Sequence, residues 1–281
     1  MRVTRRGFLW TTAAASFNAV MYGYCWESKW LELTHTSVPV AQTSGRNPVR
    51  ILLLSDLHWS PFDPLDFLKS AFELGGYEKP DFVCLTGDLV SVDNEYDLNE
   101  YRPVLKFLAD LAPTYAVLGN HDGGKWSFER NGFADESIMQ NLLRDCGMKV
   151  LVNQSVHFSV RNQGFNLTGV PDLWAGGIDP ELAFADLKAG DDAINIVLAH
   201  NPDTKELLGG FDWQLMLSGH THGGQIAFPL IGAPYVPVRD KRFVAGLNRW
   251  DERLIYTTRG VGSLYGARFY CRPEVSILDI V

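Results

Sequence analysis

Ile51-Leu52-Leu53-Leu54 runs directly into Ser55-Asp56-Leu57-His58. An apolar run preceded by Arg50 and closed by polar residues reads as a buried strand ending in a loop. On extended chain, positions two apart leave the same face, so Asp56 and His58 project together. A carboxylate and an imidazole sharing a face are two metal-ligand types side by side. Asp-x-His alone is weak, because it recurs by chance. Four further pieces of the same kind give it weight.

Thr86-Gly87-Asp88 closes the apolar run Phe82–Leu85, and Gly119-Asn120-His121-Asp122 closes Tyr115–Leu118. His200 ends Ile194–Ala199, and Gly219-His220-Thr221-His222 follows Gln214–Leu217. Five times an expected strand delivers Asp, Asn or His at its C-terminal edge, which is where α/β sheets build ligand sites. Five of the chain's seven histidines fall in these pieces, a bias that core histidines satisfied one by one would not produce. Gly87, Gly119 and Gly219 precede the candidate ligands where the chain must turn or pass close to a neighbour.

Around these pieces strand and helix alternate. Helices are expected at Pro64–Leu74, Leu98–Leu111, Glu136–Cys146, Pro180–Leu187 and Asp203–Leu208. Shorter strands are expected between them and, after Gly223, near Ile226–Phe228, Phe243–Leu247, Leu254–Thr258 and Val275–Ile280. Strands separated by helices imply βαβ units and an α/β fold, and the later run adds antiparallel strands. The 281 residues, 46% hydrophobic and 21% charged, suit a globular chain, and a net charge of −8 supplies no basic footprint for nucleic acid. The four cysteines are scattered without a Cys-x-x-Cys pair, so neither a zinc ribbon nor a disulfide scaffold is expected.

The ordered set Asp56/His58, Gly87-Asp88, Gly119-Asn120-His121-Asp122, His200 and Gly219-His220-Thr221-His222 resembles the calcineurin-like metallophosphoesterase family. Ala199–Asp203, Gly219–Gln225 and Thr258–Gly262 resemble its bacterial YaeI/YkuE-type branch. The resemblance spans roughly Val49 to the C-terminus. It implies a four-layer α/β/β/α sandwich of two mixed sheets. It also implies two divalent cations, one on Asp56, His58 and His222, the other on Asn120, His200 and His220, with Asp88 bridging both. Two cations about 3.5–4 Å apart repel each other, so a shared carboxylate between them makes sense. Mixed nitrogen and oxygen ligands suit manganese, iron, zinc or nickel over magnesium or calcium, and the family analogy leans to manganese. The implied reaction is hydrolysis of phosphodiesters by a water activated between the two cations. His121, beside Asn120 but not among the ligands, is the candidate general acid. The substrate partner is then a small-molecule or lipid phosphoester. Alternatives are a pyrophosphatase acting on a nucleotide-linked lipid and a non-catalytic metal-binding interaction module.

Several residues carry two readings. Asp122 either orients His121 or caps its loop. Asp172 either reaches the site or stays structural, and Arg259 either neutralises substrate phosphate or forms a structural ion pair. Trp59, Phe62, Trp126, Phe128 and Trp174 either rim the site for an apolar leaving group or membrane, or pack beneath loops. His35 and His157 have no partner motif.

At the N-terminus, Thr4-Arg5-Arg6-Gly7-Phe8-Leu9 resembles the twin-arginine export motif, and no residue from Phe8 to Trp26 is charged. Residues 1–26 are therefore read as a signal or retained anchor, 27–48 as a linker and 49–281 as the catalytic domain. Export by the twin-arginine machinery would put the protein in the periplasm or on the outer face of the cytoplasmic membrane, with membrane contact; the alternative is the cytoplasm.

Overall fold

The computed structural model describes residues 4–40, 48–91, 96–187 and 193–281. Six helices are present among them: α1 (Arg5–Cys25), α2 (Leu65–Gly76), α3 (Leu98–Leu111), α4 (Gly124–Phe128), α5 (Ser137–Asp145) and α6 (Pro180–Phe184). The strands are β1 (Glu32–Val38), β2 (Val49–Leu54), β3 (Phe82–Leu85), β4 (Thr114–Ala116), β5 (Lys149–Val150), β6 (Gln154–Val160), β7 (Gln163–Gly169), β8 (Ile194–Leu198), β9 (Leu215–Ser218), β10 (Gly246–Trp250), β11 (Arg253–Thr257) and β12 (Glu274–Ile280).

They form two six-stranded mixed sheets, ordered β1-β12-β2-β3-β4-β5 and β10-β11-β9-β8-β7-β6. Period-two alternation in the apolar strands assembles the layers. Ile51, Leu53, Phe82 and Cys84 face inward and meet Leu167, Ile196, Leu198, Leu215 and Leu217 of the other sheet. Their neighbours Leu52, Leu54, Val83 and Leu85 face outward against Leu68 and Phe72 of α2, Leu105 and Leu108 of α3, and Leu142 of α5. On the far side, Val197, Met216 and Ile255 are covered by Phe184 of α6 together with Trp213 and Phe243. The result is the expected four-layer α/β/β/α arrangement, with a thin fourth layer. Strands buried on both faces explain why β2, β3, β8 and β9 read as continuous apolar runs.

Local chemistry sets the helix starts. Asp97 caps α3 by accepting from Asn99 N–H at 3.0 Å. Asp179 caps α6 through Leu182 N–H at 3.1 Å, with Pro180 at the first helical position.

Four expectations change. Within the stretch read as a linker, Glu32–Val38 forms the edge strand β1, parallel to β12 from Glu32↔Glu274 to Val38↔Ile280; residues 41–47 of that stretch lie outside the described residues. Ile226–Phe228 forms only isolated bridges, to Phe269 and Gly232. The helix expected at Asp203–Leu208 is a short 3-10 turn, Pro202–Glu206, capped by Asn201. Phe243 ends another such turn, and the next strand starts only at Gly246, which adopts φ +76. Among the described residues no helix is long and apolar enough to cross a membrane.

Candidate metal centre

β2, β3 and β4 run parallel in one sheet, and β8 and β9 run parallel in the other. Their C-terminal ends bring the five sequence pieces to one place. His58 Nε2 lies 3.1 Å from His222 Nε2, and His222 Nε2 lies 3.3 Å from Asp56 Oδ1. His220 Nδ1 lies 3.2 Å from His200 Nε2. Between these groups stands Asp88: its Oδ2 is 3.6 Å from His58 Nε2 and 3.1 Å from His200 Nε2. Asp56/His58/His222 and Asp88/His200/His220 each converge within 4.8 Å, as do His58, Asp88 and His121. The buried Asn120 Oδ1 has no hydrogen-bond partner, and Asn120 lines the same cleft.

These residues fit a pair of cations. Two imidazole nitrogens facing each other at 3.1 Å can share only one proton, and an unpartnered buried amide oxygen is costly. A cation between such donors removes both problems. Thr86 and Ser91 lie behind the imidazoles: the Thr86 carbonyl is 2.7 Å from His200 Nδ1 and Ser91 Oγ is 3.5 Å from His58 Nδ1. Such outer partners orient an imidazole so that its other nitrogen faces the ion.

Burial and the close histidines make most of these imidazoles neutral. Burial, aided by His121, lowers His58 to about 3. Burial and His200 lower His220 to about 3, and burial with His58 holds His222 well below its usual range. His200 is the exception: burial opposes its charge, but Asp88 and Asp56 outweigh it and raise the imidazole well above its usual value. Asp88 is the counterpart, held well below the carboxylate range by His200 and His121 against the effect of burial. Burial pushes Asp56 up to about 6.

The backbone is strained at the same positions. Asp56 (φ 51), His58 (φ 46), Asp88 (φ 54), His220 (φ 69) and His222 (φ 51) all occupy the left-handed region, which side chains other than glycine enter at a cost of order 1–3 kcal/mol each. Strain concentrated on five candidate ligands marks a site whose surroundings impose the geometry. The tail contributes: Val261 N–H donates to Ser55 O at 3.0 Å and Gly262 N–H to Asp56 O at 2.7 Å. Gly260, at φ +73, passes so close that a Cβ there would sit 2.6 Å from Asp56 Cβ.

A cleft of about 410 Å³ opens over the site. His121 lines it with its Nδ1 unpartnered, while its backbone N–H donates to Asp88 Oδ1 at 2.9 Å. Asp122 does not touch the His121 ring. Its carboxylate accepts from Asp88 N–H (2.8 Å), Leu89 N–H (2.7 Å) and Gly119 N–H (2.8 Å), so it caps the two ligand loops. Asp172 caps a turn by accepting from Trp174 and Ala175 N–H, and its other oxygen is unpartnered. The Trp174 ring then meets His220 edge-on at 4.3 Å, and Trp126 lies 4.7 Å from the His121 ring. Trp126 and Trp174 thus form the aromatic wall. Trp59 instead packs in the core between Tyr96 and Tyr101, and Phe62 and Phe128 are exposed away from the cleft lining. Arg259 is structural, bonded to Glu274 (3.1 Å) and Glu32 (2.9 Å). His35 stands on β1, and His157 meets Asn166 at 2.8 Å.

Arg268 is a participant with no sequence signal. Fully buried, it donates to the carbonyls of Arg259, Gly260, Gly262 and Cys271, and Nη2 comes 3.4 Å from His222 Nδ1. It clamps the tail loop that backs Asp56. No periodicity distinguishes it in Gly266-Ala267-Arg268-Phe269.

The chain matches the calcineurin-like phosphoesterase family over residues 49–224. It is 44% identical to phosphodiesterase YaeI of Escherichia coli, over 99% of this chain and all of that one. It is 28% identical to the metallophosphoesterase YkuE of Bacillus subtilis, over 92% and 89% of the two chains. It is also 28% identical to UDP-2,3-diacylglucosamine pyrophosphatase LpxG of Chlamydia muridarum, over 82% and 83%. Among solved structures, the Thermus thermophilus sulfate thiohydrolase SoxB superposes with TM-score 0.50 at 11% identity, over 85% of this chain and 58% of that one; this likeness concerns the fold alone.

Proposed function

The chain belongs to the calcineurin-like phosphoesterase family, and from that premise we propose that it hydrolyses phosphodiesters at a centre built for two divalent cations. The observation that carries the proposal is Asp88 Oδ2, which stands between His58 Nε2 at 3.6 Å and His200 Nε2 at 3.1 Å. Asp56, His58 and His222 would hold one cation and Asn120, His200 and His220 the other, with Asp88 shared. Mixed nitrogen and oxygen ligands suit manganese, iron, zinc or nickel, and the family analogy leans to manganese. When bound, such a pair supplies positive charge to the phosphoryl oxygens and brings the pKa of a water toward neutrality.

The remaining steps belong to the chain. The Trp126 and Trp174 wall receives an apolar ester group and limits water beside it. His121 lines the cleft, and its buried Nδ1 has no hydrogen-bond partner, so the ring is free to hold a proton for the departing oxygen. Burial lowers the His121 pKa, and an anionic diester in the cleft opposes that shift by favouring the imidazolium. Asp88 holds the His121 backbone N–H, so ligand and acid keep a constant relation.

The test is metal content and turnover of bis-p-nitrophenyl phosphate. His121→Ala should keep metal and lose about 10²–10⁴-fold in turnover, whereas Asp88→Ala should lose metal. Equal rates for wild type and His121→Ala would end the assignment of His121.

A second reading, pyrophosphatase action on a nucleotide-linked lipid, is favoured by the resemblance to LpxG. A panel of diesters, monoesters and a nucleotide-sugar lipid separates the two. For location we propose export by the twin-arginine route, from Arg5 and Arg6 followed by the uncharged stretch Gly7–Trp26. Replacing both by lysine and fractionating cells tests it.

A further inference from the structure

We infer that the turn Phe228–Gly232, beside the mouth of the cleft, docks on the surface of an anionic lipid bilayer. Phe228 N–H donates to Gly232 O at 3.0 Å and Gly232 N–H to Phe228 O at 2.9 Å, closing Phe-Pro-Leu-Ile-Gly into a tight projection. At its tip Leu230 is 108% exposed and Ile231 79%. Leu230 also adopts φ +69. A leucine in strained backbone with its whole side chain in water gains nothing within the chain that offsets either cost.

The turn stands on a fixed base. Ala227 N–H donates to Phe269 O at 2.8 Å, and the Phe228 and Phe269 rings lie 5.9 Å apart. The ring of Tyr22 from α1 also meets Phe269, edge-on at 6.2 Å. α1 itself is exposed along most of its length, uncharged from Gly7 to Trp26, and begins at Arg5 and Arg6. Its Thr11, Thr12 and Asn18 side chains donate to carbonyls of their own helix at 2.9, 2.9 and 2.7 Å, so these groups keep a partner when water leaves. Aromatic rings of α1 and of the turn therefore both reach Phe269. The turn adjoins the cleft, because Ile226, Tyr235 and Tyr265 line the cleft wall.

Charge selects the occupant. The chain carries −8 overall, yet the segment following the turn exposes Arg239 and Lys241, which make no side-chain ion pair among the described residues. Their neighbour Arg242 is paired with Asp240 at 2.7 Å. An apolar tip followed, seven and nine residues after Gly232 in the sequence, by exposed unpaired cations is the combination that suits an anionic headgroup layer above acyl chains. A second copy of this net-acidic chain does not offer that combination. The docking stands whether or not the cleft hydrolyses a phosphodiester.

The experiment is hydrogen–deuterium exchange on the full chain, alone and with vesicles of phosphatidylcholine or of phosphatidylcholine with phosphatidylglycerol. Amides of residues 226–235 should slow in the phosphatidylglycerol vesicles and much less in the neutral ones, with the slowing lost at high salt. Leu230→Asp with Ile231→Asp should abolish the slowing there, whatever α1 does, and leave turnover of the soluble diester unchanged. Arg239→Glu with Lys241→Glu should weaken partition by about thirtyfold or more. Exchange in 226–235 that ignores vesicles, or slowing that survives the double aspartate variant, overturns the inference. So does slowing without vesicles that rises with protein concentration, which would make the surface a contact between copies.

Discussion

Glu274→Gln probes how the C-terminal strand supports the site. The Glu274 side chain is buried and accepts five hydrogen bonds. Oε1 takes Thr34 Oγ1 at 2.7 Å and Tyr256 OH at 3.0 Å, and Oε2 takes Thr258 Oγ1 at 3.3 Å, Arg259 N–H at 2.8 Å and Arg259 Nε at 3.1 Å. A glutamine would turn its amide toward Thr34 and Tyr256, because those hydroxyls can rotate to accept and the Arg259 groups cannot. The loss is then the charged part of the Arg259 bonds, about 2–3 kcal/mol, with Glu32 still on Arg259. For a chain of this size that lowers Tm by about 5 °C. Burial alone would raise the Glu274 pKa, but Arg259 outweighs it and holds the carboxyl below 4.5. A carboxyl depressed by folding contributes stability that is present above its unfolded value and fades as pH falls through the folded one. The gap between wild type and variant, read by thermal unfolding of metal-free protein, should therefore be full at pH 7.5 and shrink below about pH 4.5. Because Arg259–Gly262 backs Asp56, metal affinity should fall as well. A gap that stays constant or widens toward pH 4 refutes the reasoning.

Metal affinity should fall with acid through neutrality, where His200 must lose a proton to ligate, and more steeply below about pH 6, where Asp56, at about 6 without metal, must be ionised as well. Near neutrality His200 starts protonated, so binding should release a proton, visible as calorimetric heats that change between buffers of different ionisation enthalpy; heats independent of buffer contradict this. Trp174→Ala should raise KM for an aromatic diester by up to about tenfold with little change for a methyl ester, since the loss is ring contact worth about 0.5–1.5 kcal/mol; equal effects on both esters would remove Trp174 from the wall.

Where side chains alternate between two buried faces, the chain declared itself. β2, β3, β8 and β9 are apolar runs that stop at ligand residues, and α3 spans Leu98–Leu111 as its periodicity predicts. What stayed hidden depends on distant partners. β1 reads Glu-Leu-Thr-His-Thr-Ser-Val, a polar edge whose pairing residues lie at the opposite end of the chain. Trp59 follows a ligand loop yet turns inward, because Tyr96 and Tyr101 provide its socket. Arg268 is buried only because tail carbonyls need its donors. The left-handed backbone at Asp56, His58, Asp88, His220 and His222 falls on residue types that tolerate it better than most, but few Asp and His residues adopt it, so the sequence alone does not mark these five.

Asp88 is placed to be shared by two cations in one cup. Anomalous diffraction from crystals soaked in manganese tests it directly. Two peaks about 3.5–4 Å apart are expected, with Asp88 between them, Asp56, His58 and His222 on one side, and Asn120, His200 and His220 on the other. A single peak, or two peaks that do not share Asp88, would contradict it.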